Sequence, residues 1–143
     1  GEANEDSLVL LLSWRNLQIV LTGDIGFETE ENLDLRADGK TVILKVPHHG
    51  SRYSSSWEFI ENLHPVVAVA EVGRNPYGHP HERTIRRYRG IGAQFFRTDR
   101  YGTICLRSDG DTLRILTTRR DAAYEYAPGQ SEIQSSGDAQ IPL

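Results

Sequence analysis

The sequence predicts a layered α/β (α+β) domain with helices packed on a mixed sheet, and three observations carry that expectation. Apolar strand-like runs alternate with short helical patterns through most of the chain, and the chain then closes on short strands separated by tight turns. The composition, 38% hydrophobic and 25% charged with both signs interspersed, is that of an ordinary globular chain. At 143 residues it is one domain, or one part of a larger one, long enough to bury a core. Residues 1–120 carry the layered pattern. Residues 121–143, rich in Ser, Gly, Gln, Asp and Pro with little to bury, read as a disordered tail.

The elements follow in order. "GEANED" is polar and reads as loose, after which "SLVLLLSW" and "LQIVLTGD" form two strands of a hairpin turning at Arg15 and Asn16. "FETEENLDL" combines acidic residues with apolar spacing suited to a short helix. "KTVILKV" is β-branched and continuous enough for a strand buried on both faces. Ser55, followed three residues later by Glu58, is a capping-box signature for a helix running to about Leu63. "PVVAVAEV" is a second buried strand, and "HERTIRRYRG" a helix starting near Pro80 and stopped by Gly90. "AQFFRT", "GTICLRS" and "TLRILTT" close the pattern as short strands, with "DRYG" and "DGD" as turns.

Composition also excludes several functions. A net charge of −4 gives no global basic field, so any contact with a polyanion must be local. The single Cys105 rules out an internal disulfide and, in an alternating strand, reads as a buried inert thiol. No apolar run approaches the roughly 18–20 residues needed to cross a bilayer, and the first residues lack a signal-peptide pattern. The chain reads as soluble; its parent protein need not be.

Chemistry concentrates where apolar strands end in ligand-type residues: "IVLTGD" at Asp24, "VILKVPHHGS" at His48 and His49, and "VAVAEVGRNPYGHPH" at His79 and His81. Strand ends bring residues distant in sequence together, and a carboxylate with imidazoles suits zinc, or manganese where oxygen donors dominate. From an extended backbone two adjacent histidines cannot both face one ion, so one of the pair needs another role. Each piece has a plainer reading. Asp24 closes a turn, one histidine of the pair is a satisfied loop residue, His79 caps a helix beginning at Pro80 with His81 exposed in its first turn, and the arginines at 83, 86, 87 and 89 form a solvated face. His64, before Pro65, reads as structural.

The stretches "NEDSLVLLLSW", "IVLTGDIGFETEENL", "LKVPHHGSRYSSS" and "VGRNPYGHPH" closely resemble the C-terminal part of the metallo-β-lactamase-like domain of ComEC-type DNA internalization competence proteins, over roughly residues 4 to 116. The resemblance implies the second half of an αββα sandwich, with two divalent metal ions, zinc or manganese, at one edge activating a water. It makes Asp24 the bridging ligand and His49 a ligand of one ion, both catalytic. It leaves His48 to support the loop or contact phosphate, beside Ser51, His79, His81 and Arg74 as phosphate-binding residues. The amino end of the helix near Ser55 is a further phosphate site, and the arginines of 83–89 guide the strand. The HxHxDH motif of the family is absent, so the expectation is a fragment that binds metal weakly or not at all and is inactive alone.

The implied parent activity is a metal-dependent DNA phosphodiesterase, or nuclease, of bacterial DNA uptake. Its partners are DNA, as a single strand, the N-terminal half of the same domain, the membrane channel of the parent protein, and a possible second copy of the fragment. Its place is a soluble domain of a bacterial inner (plasma) membrane protein, on the extracytoplasmic side. The alternatives are hydrolysis of another phosphodiester and a DNA-guiding domain that does not cut.

Overall fold

The computed structural model describes residues 2–119, 123–127 and 134–136. The hairpin forms as the sequence predicts. β1 (Leu10–Trp14) pairs antiparallel with β2 (Leu17–Leu21), Leu10 opposite Leu21, through a turn at Arg15 and Asn16 in which Arg15 is left-handed (φ 49°). The Asn16 amide side chain ties this turn to Asp111 Oδ1 at 2.6 Å. β3 (Thr41–Lys45), β4 (Val67–Ala70) and β5 (Gln94–Arg97) then add in parallel, giving a mixed sheet of order β1-β2-β3-β4-β5. A second, antiparallel sheet runs β6 (Ile104–Ser108), β7 (Leu113–Thr117), β8 (Ala123–Tyr126) and β9 (Gln134–Ser136).

Strand alternation sorts the core into two layers. Val20, Val42, Leu44, Ala68, Ala70 and Phe95 point to one side of the mixed sheet. There they pack under Phe59, Ile60 and Leu63 of α3 (Trp57–Leu63) and Ile85 and Tyr88 of α4 (Glu82–Gly90). The intervening residues Leu17, Ile43, Val67 and Phe96 point the other way and meet Leu113 and Ile115 of the second sheet. The architecture is therefore helix, sheet, sheet, an α+β layered fold with its helices on one face of the mixed sheet. Each fully buried Leu, Ile or Phe contributes about 1.5–3 kcal/mol, so these two layers dominate the stability.

Several local expectations are corrected. The opening segment contains a four-residue helix, α1 (Glu2–Glu5), and is tethered rather than loose. The Glu5 carboxylate accepts the N–H groups of Gly26 and Thr29 at the start of α2 (Phe27–Asn32), a long-range substitute for an N-cap. These bonds, with the Thr29 hydroxyl foremost, lower the Glu5 pKa. The helix cap lies one residue later than expected, and with Phe59 three residues after it no reciprocal capping box forms. Ser56, not Ser55, caps α3 and accepts the Phe59 N–H, while Ser55 is buried, left-handed (φ 61°) and bonded to the Tyr88 hydroxyl at 2.8 Å. "DRYG" is not a simple turn, because Thr98–Tyr101 forms a helical turn, α5, in which Asp99 is clamped by Arg97.

The tail expectation is also revised where the structure describes it. Ala123–Tyr126 and Gln134–Ser136 are strands, because Tyr124 and Tyr126 alternate onto the layer between the sheets. Residues 120–122, 128–133 and 137–143 lie outside the described residues. Cys105, opposite Leu116, is half-buried rather than fully enclosed. Among the described residues no helix is long and apolar enough to cross a membrane.

Candidate metal and phosphate site

Because β2, β3 and β4 run parallel, their C-terminal ends emerge along one sheet edge, and the three loops there are braced to one another. The Lys45 ammonium donates to the Gly23 carbonyl at 3.0 Å, and the His48 N–H donates to the same oxygen at 3.2 Å. The Thr22 hydroxyl donates to the Lys45 carbonyl at 2.9 Å. The Asp24 N–H donates to Ser7 Oγ at 3.1 Å, which anchors the acidic loop to the leading segment.

His48 and His49 do not lie on extended backbone. Both are left-handed, at φ 47° and 53°, and Gly50 continues the run at φ 84°. Left-handed non-glycine residues cost on the order of 1–3 kcal/mol each and persist only where their surroundings hold them. The turn sends the two rings apart, with centroids 6.5 Å apart and planes at 74°.

The His49 ring lies against Asp24, Nε2 to Oδ1 at 3.4 Å, and its Nδ1 is 2.7 Å from the Glu71 carbonyl oxygen after β4. A carbonyl only accepts, so Nδ1 carries a proton and a neutral ring turns its Nε2 lone pair toward the carboxylate. Two electron-rich atoms in that position are reconciled by a cation between them or by a second proton on the ring. A backbone carbonyl holding Nδ1 while Nε2 faces a carboxylate is how metal-binding imidazoles are oriented.

The His48 ring turns the other way and meets His79 edge-on, with centroids 5.7 Å apart. Tyr77 lies beside His79 at 5.8 Å. Asn75 shapes this loop, accepting the N–H groups of Tyr77 and His79 and donating to the Gly73 and His79 carbonyls. The His79–Pro80 peptide is cis, and Pro80 seats against Gly50, whose carbonyl accepts the His81 N–H at 2.8 Å. The result is an open cleft of about 450 Å³ lined by His48, Ser51, Arg52, Tyr53, Tyr77, His79 and His81. Burial above all, and then the neighbouring His48, His49 and His81, lower the His79 pKa against a smaller opposing pull from Asp24. His79 is therefore biased toward the neutral ring. Its Nδ1 is buried with no hydrogen-bond partner among the described residues.

The predicted residues thus divide. Asp24 and His49 come together, and His48, Ser51, His79 and His81 share the adjoining cleft. His81, not His79, caps α4, its Nδ1 accepting the Arg83 N–H at 3.2 Å. Arg74 is exposed on the loop and does not line the cleft.

Two further expectations fail. The backbone N–H groups of Ser55 and Ser56 are taken by the buried Glu30 carboxylate and that of Phe59 by the Ser56 hydroxyl, so these three donors at the entry to α3 are committed within the protein. Arg87 is not part of a solvated guiding face either. It donates to the Ser54 and Ser55 carbonyls and lies over the Phe27 ring, while Arg86 pairs with Glu82.

Sequence reading missed Glu71, which acts through its carbonyl, and Asn75, whose position before Pro76 is an Asx-turn signal. It also missed Ser7, Arg52, Tyr53 and Tyr77. Among the described residues no group of three or more His, Cys, Asp or Glu side chains is placed to hold a metal ion, so Asp24 and His49 offer two donors.

No family model matches the chain. It is 37% identical over 103 residues, 71% of its length, to ComE operon protein 3 of Bacillus subtilis (strain 168). It is 36% identical over 104 residues, also 71% of its length, to competence protein ComA of Neisseria gonorrhoeae. Over 125 residues, 87% of its length, it is 30% identical to recombination protein 2 of Haemophilus influenzae. It spans only 13%, 15% and 16% of those three proteins.

Proposed function

Because this chain is homologous to a segment of the ComEC-type competence proteins, we propose that it supplies part of a metal-dependent site hydrolysing DNA phosphodiester bonds during DNA uptake. The observation that carries the reading is the Asp24–His49 contact, with the Glu71 carbonyl fixing the imidazole so that its free nitrogen faces the carboxylate. That donor set fits a divalent ion such as zinc or manganese as two of its ligands. Zinc ordinarily takes three or four protein ligands, so the chain alone is expected to bind metal weakly and to turn over nothing.

The layered arrangement supports reading this chain as the second half of an αββα sandwich of metallo-β-lactamase type. β1 is exposed along its whole length, Leu10, Leu11, Leu12 and Trp14 included, which suits cover by another segment of the same parent protein. In the proposed setting that parent sits in the bacterial plasma membrane with this domain on its outer side.

When bound, a divalent ion supplies charge neutralisation at the phosphodiester and lowers the pKa of a water. The chain's own residues do the positioning. Ser7 and Lys45 hold the Asp24 loop, and Glu71 sets the His49 tautomer. His48 and His79 present ring nitrogens along the cleft beside the pair, where an N–H can hold a phosphate oxygen.

The test is a zinc and manganese titration of the longer parent protein, followed by cleavage of single-stranded DNA by wild type, Asp24→Ala and His49→Ala. Metal-dependent cutting lost in both variants is the expected result. Cutting that survives both substitutions overturns the assignment, and DNA binding with no metal-dependent cutting favours a guiding role.

A further inference from the structure

We propose that Tyr53 and Tyr77 form a base-stacking platform on the rim of the histidine cleft, so that the site takes an unpaired DNA strand in preference to a duplex. The inference rests on the DNA reading above and adds to it the residues that select the strand. Both tyrosines line the same cleft, and both leave most of their surface in water, 60% for Tyr53 and 77% for Tyr77.

Neither ring hangs free. The Arg52 guanidinium lies over the Tyr53 ring at 4.6 Å from its centroid and donates to its hydroxyl, covering one face and leaving the other open. Tyr77 has its backbone N–H held by Asn75 at 3.1 Å and its ring backed by His79. Braced, exposed aromatic faces lose little entropy when a flat apolar partner docks on them.

Between them the cleft is polar, with His48, His79, His81 and Arg52. Nitrogen donors flanked by aromatic faces match the alternation of phosphate and base along a single strand. In a duplex the base faces are hidden in the stack and cannot reach the rings. The net charge of −4 matters as well. With Arg52 the only Lys or Arg among the residues that line the cleft, stacking must carry much of the affinity, and the salt dependence is shallow.

Fluorescence anisotropy of the 143-residue chain with a labelled oligo-dT, in chelator, tests this without catalysis. Tyr53→Ala and Tyr77→Ala are each expected to weaken binding about tenfold, while Tyr→Phe at either position stays near wild type. An abasic strand of the same length and the matching duplex are also expected to bind about tenfold or more weakly. Binding should fall with a log–log salt slope of about −1 to −2. Alanine variants or an abasic strand that bind like wild type, or a wild type that binds no oligonucleotide, overturn the proposal. The assay is metal-free, so failure of the hydrolytic reading leaves its outcome unchanged. Conversely, single-strand cleavage dependent on Asp24 but unimpaired by either tyrosine variant removes the platform and keeps the hydrolase.

Discussion

The Glu30 carboxylate accepts the backbone N–H of Ser56 at 2.7 Å, with its second oxygen on Ser55, from inside the layer between α2 and α3. Glu30 is almost fully buried, and burial raises its pKa against those N–H bonds and the nearby Arg87. One acidic side chain thereby fixes the entry to α3 and occupies an anion-binding position that would otherwise be open.

Glu30→Ala should destabilise the domain by about 2–3 kcal/mol, because it strands a buried donor at Ser55 and a half-buried one at Ser56, and urea unfolding measures it. The raised folded-state pKa sets the sign of the pH effect. The folded protein holds the Glu30 proton more tightly than the unfolded chain, so its contribution is full below the unfolded pKa and declines as pH rises through the folded one. The stability gap between wild type and Glu30→Gln should therefore narrow as pH rises above the unfolded carboxylate range and through the raised folded-state value. A gap that widens contradicts the burial argument.

Asp99 has the opposite sign. The Arg97 guanidinium grips it in two parallel bonds of 2.9 and 2.7 Å and lowers its pKa. Its contribution is present above the unfolded pKa and is lost as pH falls through the folded one. Asp99→Asn should cost about 1 kcal/mol near neutrality and progressively less as the solution is acidified. Equal losses at both ends of an acid titration of stability would exclude this clamp.

Gly50 is left-handed, and a Cβ placed there would lie 2.5 Å from Pro80 Cβ and 3.0 Å from its Cα. Gly50→Ala should cost about 2 kcal/mol or more and push apart the two loops that wall the cleft. Chemical denaturation reads the first effect, and weaker oligonucleotide binding at a temperature where the variant stays folded reads the second. Wild-type stability in this variant would show that the loops part freely.

All five residues of β1 are exposed, and the strand lies at the edge of its sheet. The chain is expected to self-associate with rising concentration through this edge, and Leu12→Lys should suppress it, because a charge on an open edge opposes strand addition. Sedimentation velocity across a concentration series decides. A wild type that stays monomeric throughout, or association indifferent to the lysine, rules the edge out.

Much of this architecture was legible in the residues. Continuous apolar runs, "LQIVL" and the β-branched "TVILK", placed β2 and β3 as buried strands, and three strand-end clusters pointed to one sheet edge, where Asp24 and His49 lie 3.4 Å apart. What escaped was whatever depends on contacts between distant segments. Ser55 and Ser56 are equivalent as caps by type, and only the reach of Glu30 and the hydroxyl of Tyr88 decide between them. The left-handed turn through His48 and His49 is enforced by Gly23 and Pro80, neither of which neighbours the pair in sequence. Arg87 looked solvated because its helix is basic, yet its partners are carbonyls 32 and 33 residues away.

The leading segment has a practical consequence. Glu5 closes the start of α2 and Ser7 pins Asp24, so a gene trimmed to begin at β1 would encode a protein with the same sheet but a slackened acidic loop. Stability or oligonucleotide affinity measured on such a shortened protein would understate the intact one, and restoring a handful of residues ahead of the first strand should recover the difference.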